Sequence, residues 1–300
     1  MLVRSASYSR SISAKFIAAN LAIAAIFAVT SAPALADTIY VNNRVGDDQA
    51  DGRTSERTDP HTGPVATIRR ALEIATTSGT ISIAKTDKPY DEAIELYGRR
   101  HSGMEHLRFT IEGNGAIFDG SLAVAPDGWR KVGNNLWKLT PRRKGYFQLL
   151  LNGQVLPEHV VTAQATSRPE IPEGKWSVYR GSIYFHSKPR EYVPLMPFRI
   201  AYRDVGLTLY RVRNVTIRNL TFQHFRIDGI SAPDHCSGVT LENVSSLENG
   251  RAGVAVGGSS DVVISNCRVE GNRKESVLVS TRGNAAVEES TLNVPPTIGK

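Results

Sequence analysis

Val215-Thr216-Ile217-Arg218-Asn219 returns as Val239-Thr240-Leu241-Glu242-Asn243 and again as Val262-Val263-Ile264-Ser265-Asn266, with a weaker copy at Ala285-Ala286-Val287. Ahead of each copy lies another short apolar stretch: Leu207-Thr208-Leu209, Ile230-Ser231-Ala232, Val254-Ala255-Val256 and Val277-Leu278-Val279. The residues that open these stretches, Gly206, Gly229, Gly253 and Ser276, are 23, 24 and 23 positions apart. Leu220-Thr221-Phe222 and Cys267-Arg268-Val269 read as a third strand of the same unit. A fixed period of this length signals a solenoid, each strand pairing with its counterpart one coil away at about 4.8 Å. Alternation sends Leu207, Leu209, Ile230, Ala232, Val254, Val256, Val277 and Val279 inward. Asn219, Asn243 and Asn266 are expected to stack in a tight bend, because Asn tolerates left-handed backbone angles and its amide can bond along the column.

Working outward, the chain opens on a basic segment (Arg4, Arg10, Lys15), an apolar run from Phe16 to Val29, and Ala34-Leu35-Ala36. That order is a secretory signal peptide over residues 1–36, cleaved before Asp37. The expected location is therefore secreted or periplasmic. No later segment is long and apolar enough to span a bilayer. Loss of Arg4, Arg10 and Lys15 lowers the formal charge from +7 to +4. This mild excess permits an anionic polysaccharide partner without requiring one, and no nucleic-acid-binding module is present. A monomer is expected. Cys236 and Cys267 fall in different rows of the repeat, which argues against a disulfide and makes Cys267 a core residue.

Residues 37–125 read as an N-terminal cap and the first coils. Ile68, Ala71, Leu72 and Ala75 follow helical spacing with Gly79 placed to end the helix, and such a helix would cover the open apolar end of the first coil. Residues 126–197 break the period, hold Trp129, Trp137 and Trp176, and read as a small β insertion. Residues 198–300 resume the repeats. Asp47, Asp48 and Asp51 could hold Ca2+, but a Gly/Asp turn explains them better, and no other cofactor is called for.

These repeats, with Tyr40-Val41, Gly46-Asp47, Asp51-Gly52 and Ala66-Thr67-Ile68-Arg69-Arg70-Ala71-Leu72, resemble the right-handed parallel β-helix proteins of the pectate-lyase-like superfamily. Gly174-Lys175-Trp176 before Ile183-Tyr184-Phe185 is similar to segments of certain β-helix glycoside hydrolases. The resemblance implies an all-β right-handed solenoid. It leaves activity open, since the family includes lyases, hydrolases, esterases, epimerases and non-catalytic adhesins. It also implies that a sugar chain lies along one outer face, beside the turns that precede the first strand of each coil.

In this sequence those turns hold Arg203, Arg226 and Arg273 in one row, Asp204, Arg251 and Lys274 in the next, and Asp228 and Glu275 in the third, with His224 just upstream. They form a mainly cationic edge of roughly 14 Å across four coils. A uronate lyase could use Arg226, Arg251 or Arg273 to hold the carboxylate and Lys274 or His224 as the base. A hydrolase could pair Asp228 with Glu275, two coils and about 9.6 Å apart. Continued alternation, however, would turn both inward. The Asn-Thr-Asp, Asp-Asp and His-Gly signatures of the polygalacturonase branch are missing from the repeats. Tyr202 and Phe225 share a row as either a sugar platform or an internal stack, and a non-catalytic glycan-binding protein is the third reading. Among these, the basic edge favours a lyase acting on an extracellular uronate-containing polysaccharide.

Overall fold

The structure is a computed structural model that describes residues 37–160, 167, 170–280, 282–293 and 297–299. The signal-peptide segment and Pro295-Pro296 lie outside the described residues. The repeat rows become parallel strands in register. Val215 pairs with Val239, Val239 with Val262, and Val262 with Ala285. In the other row Leu207 pairs with Ile230, Ile230 with Val254, and Val254 with Val277. One sheet is ten-stranded and runs from Thr38–Val41 through Phe109–Asp119 and Arg213–Gln223 to Asn284–Glu288. The other is six-stranded: Ile94–Tyr97, Val205–Tyr210, Asp228–Asp234, Ala252–Val256, Glu275–Ser280 and Thr297–Gly299.

Asn219, Asn243 and Asn266 turn the chain at φ 57°, 52° and 52°, and the Asn243 amide donates to Asn219 Oδ1 at 2.6 Å. Glu289 takes the same conformation, φ 45°, in the fourth copy. The core is the inward row set, with Leu207, Leu209, Ile217, Leu241 and Ile264 at 0% exposure. Each such side chain stabilises the fold by about 1.5–3 kcal/mol relative to exposure. Both cysteines are buried free thiols, and Cys267 packs in this core as expected.

The cap helix spans Ile68–Ile74 and buries Ile68, Ala71 and Leu72. It stops ahead of Gly79 because Ala75 is already extended. Its N-terminus consumes the acidic loop. Asp48 accepts from the Ala66 and Thr67 amides at 2.9 Å and from the Thr67 hydroxyl at 2.8 Å. Asp47 accepts from the Gln49 amide and Asp51 from the Arg53 amide, both at 3.0 Å. These are turn and capping contacts.

The aperiodic segment folds as two four-stranded antiparallel sheets around their own core of Trp129, Trp137, Trp176, Phe185 and Phe198. Phe198–Ala201 pairs with Ser121–Ala123 and Leu149–Leu151, so it belongs to this side unit and the coils resume at Val205. The insertion therefore leaves the solenoid immediately before the first strand of a coil, at the edge that carries the basic turns.

Candidate functional site

The basic edge faces the insertion segment Arg143–Phe147, and most of its charge is spent there. Arg226 donates from Nε to Asp204 Oδ1 at 2.9 Å and from Nη1 to the carbonyls of Lys144 at 2.7 Å and Gly145 at 3.1 Å. Arg273 donates to the Phe147 carbonyl at 2.5 Å and pairs with Glu158. Burial lowers the pKa of the Arg273 guanidinium. Arg251 makes a two-pronged pair with Asp228, its Nε at 2.9 Å from Oδ1. The carboxylate-holding role expected for these three arginines is therefore corrected: they hold the fold and the inserted loop.

Asp228 is equally committed. Its side chain is 1% exposed, and it also accepts from the Ala252 amide at 3.2 Å. The expected alternation fails at the start of these strands. A Cβ on Gly229 would lie 2.0 Å from Ser246 Oγ, inside the coil, and Ile230 is also a core residue. Two successive residues point inward, which leaves Asp228 on the side where Arg251 covers it. A hydrolytic pair of Asp228 with Glu275 is thereby overturned, although Glu275 remains half-buried on the same row through Ala252.

Phe225 is 0% exposed with its ring 6.4 Å from that of Phe222, so it is core and offers no face to a sugar. Tyr202 is half-buried with the Arg143 guanidinium stacked 5.0 Å from its ring, and Arg143 pairs with Asp204 at 2.6 Å. Arg203 lines a different cleft, beside Glu92, Glu95 and Tyr97.

His224 is not an open base either. It is 4% exposed, with Nδ1 3.1 Å from Asp119 Oδ2 and Nε2 3.0 Å from Glu248 Oε2. Burial opposes its charge, but the hydrogen bonds and charges of Asp119 and Glu248 outweigh it and raise its pKa. Burial would likewise raise the Asp119 carboxyl, yet His224, Ser121 and Gln223 together hold it well below the usual carboxylate range. A doubly protonated ring satisfies both ends at once.

Lys274 alone of the expected catalytic set is an exposed residue lining a cleft. It lies on the rim of a cleft of ≈ 320 Å³ lined by Gly145, Tyr146, Phe147, Glu158, Val178 and Arg273. Its Nζ is 5.4 Å from the Tyr146 ring centroid, and the Arg251 guanidinium, its pKa raised chiefly by Asp228, also has Tyr146 nearby. Tyr146 has φ 50°, a left-handed conformation that is costly for a bulky residue and is kept only where the surroundings impose it.

Residues 192–293 match the family model of a right-handed β-helix region. The fold of this chain is a right-handed parallel β-helix. Its fold is similar to a solved structure described as XylC with xylose, at 12% identity and TM-score 0.56, covering 84% of this chain and 58% of that one. A second similar structure, described as a glycoside hydrolase, has 13% identity and TM-score 0.58, covering 81% of this chain and 67% of that one. The β-helix protein thus spans less than two thirds of the first of these, and at such identities the likeness is one of fold. Among curated proteins, none matches its sequence. No helix among its described residues is long and apolar enough to cross a membrane.

Sequence reasoning missed Tyr146 and Glu158 because the insertion has no period to place them. It also missed Glu248, although Glu248 lies 24 residues after His224 and therefore directly beside it in the next coil. Asn249 and Asn272 were missed for a different reason. They form an interior ladder, Asn249 donating to Asn272 Oδ1 at 2.9 Å and accepting from the Phe225 amide at 3.0 Å, where turn asparagines would be read as exposed.

Proposed function

We propose that this β-helix protein is exported and carbohydrate-active, and that it eliminates across a uronate in an anionic glycan seated between the inserted loop and the turns of the last coils. The observation that carries the reading is Lys274 over Tyr146 at the mouth of a cleft whose lining also holds Arg273 paired with Glu158. In the neutral form, Lys274 Nζ takes the proton from the carbon next to the carboxylate. The electron pair forms the new carbon–carbon double bond and the glycosidic oxygen departs, taking the Tyr146 phenolic proton. Proton return from lysine to tyrosine resets the site. Displacement of water from the cleft strengthens the electrostatic interactions a bound glycan makes there.

Hydrolysis is the second reading. Glu158 lines the same cleft, its side chain 12% exposed, and one similar fold is described as a glycoside hydrolase. Incubation with acidic and neutral glycans separates the two. Ultraviolet absorbance of an unsaturated uronate is expected, falling about 10²–10⁴-fold in Lys274→Ala and Tyr146→Phe. New reducing ends without that absorbance would establish hydrolysis instead. Full elimination by both variants would refute the assignment of Lys274 and Tyr146.

A further inference from the structure

The outer face of the six-stranded sheet carries a second constellation, at the far end of its first strands and sharing no residue with the cleft. Register pairs Leu96 with Leu209 and Tyr97 with Tyr210. The leucines are core, so alternation places both tyrosines outside, where Tyr97 is 50% and Tyr210 36% exposed. Their ring centroids are 6.4 Å apart at 66°. The Arg211 guanidinium sits 5.1 Å from the Tyr210 ring, and Arg99 and Arg213 line the same cleft of ≈ 480 Å³. The described lining residues include these three arginines and no carboxylate. Arg211 keeps a loose contact to Asp234 at 3.6 Å, with its side chain 61% exposed.

The platform is also held in place. Tyr97 donates from its hydroxyl to Glu95 Oε2 at 2.8 Å. Gly98 brings its backbone so close that a Cβ there would lie 1.8 Å from the Arg211 carbonyl oxygen. Paired aromatic faces present apolar surface to the C–H face of a pyranose, while guanidinium groups take an anionic substituent in two-pronged fashion.

We propose that Tyr97 and Tyr210, with Arg99, Arg211 and Arg213, form a glycan-binding platform for an acidic sugar, remote from the cleft. This rests on the reading of the protein as one that handles anionic glycans, and it adds where a distant part of the chain is gripped. The anion is a uronate carboxylate or a sulfate ester. Affinity electrophoresis of the whole protein through gels containing polygalacturonate, dextran sulfate or neutral arabinoxylan tests it. Retardation is expected in one or both anionic gels and not in arabinoxylan, and which gel acts identifies the anion. Tyr97→Ala with Tyr210→Ala should weaken retardation about tenfold or more, and Tyr210→Phe should keep it. Equal retardation of the double variant at an unchanged Tm, equal retardation in arabinoxylan, or none in any gel would overturn the platform. If the tyrosine variants bind as wild type while Lys274→Ala loses product, the platform fails and the cleft reading stands. Tyrosine-dependent retardation with no product from any glycan has the opposite meaning.

Discussion

Replacing His224 by Ala tests the electrostatics that join three coils. The imidazole bridges Asp119 and Glu248, and removing it leaves the Asp119 side chain, 15% exposed, without its charged partner. Asp119 still accepts from the Ser121 amide at 2.8 Å, the Ser121 hydroxyl at 2.6 Å and Gln223 Nε2 at 3.0 Å, so it is not orphaned. The loss is then one charge-assisted hydrogen bond, about 1.5–3 kcal/mol, plus no more than about 1 kcal/mol for the half-exposed Glu248 contact. A total of roughly 2–4 kcal/mol corresponds to a Tm about 5–10 °C lower. The effect carries a pH signature. A histidine raised by its partners contributes stability that is complete below its unfolded pKa, about 6.5, and is lost as pH rises through the higher folded value. The depressed Asp119 sets the acid side, its contribution fading as pH falls below the ordinary carboxylate range of about 4. Thermal unfolding of wild type and His224→Ala between pH 5 and pH 9 should therefore show the largest gap near pH 5–6.5, shrinking toward pH 9. A gap of the same size at both ends would mean that the histidine acts through packing alone, and the electrostatic account would be wrong.

Asp228→Ala should cost about 1.5–3 kcal/mol by removing the charge-assisted bonds to Arg251, whose side chain is 32% exposed, read as a lower urea midpoint. Gly229→Ala should destabilise by about 1–3 kcal/mol, because the added Cβ meets Ser246 Oγ; calorimetry showing no loss would contradict the inward placement. Arg226→Ala should leave the coils folded and expose the inserted loop, seen as faster limited proteolysis within residues 126–197 at a nearly unchanged Tm.

Most of the fold was legible because a solenoid repeats its physics. Once Val215, Val239 and Val262 share a row, the inward positions within the repeated apolar stretches follow from period and alternation. The edge was legible only in part. Asp204 with Arg226 and Asp228 with Arg251 lie 22 and 23 residues apart, so each acid sits diagonally across from the arginine of the next coil. That offset was present in the period, but listing the rows one by one separates partners that a diagonal brings together. The contacts of Arg273 with Phe147 and Glu158 had no such signal, because they join a periodic element to an aperiodic one over more than a hundred residues. His224 was misplaced because the bend that holds it turns the side chain inward where a surface turn was assumed, while of the two readings of Phe225 the internal stack is the one found.

These corrections give the cations a different job. Arg226 grips the carbonyls of Lys144 and Gly145, and Arg273 grips that of Phe147. The residues on both sides of Tyr146 are thus tied to the coils that carry Arg226 and Arg273. A left-handed backbone costs a non-glycine residue roughly 1–2 kcal/mol, and Tyr146 can keep that conformation because the residues on both sides of it are fastened. On the proposed reading Arg226 and Arg273 are positioning residues whose effect on a substrate would pass through Tyr146. Their removal should alter the reaction rate through the placement of the phenol, whereas removal of Lys274 should act on the chemistry directly. A solenoid edge is generic; the loop pinned across it turns this one into a cleft.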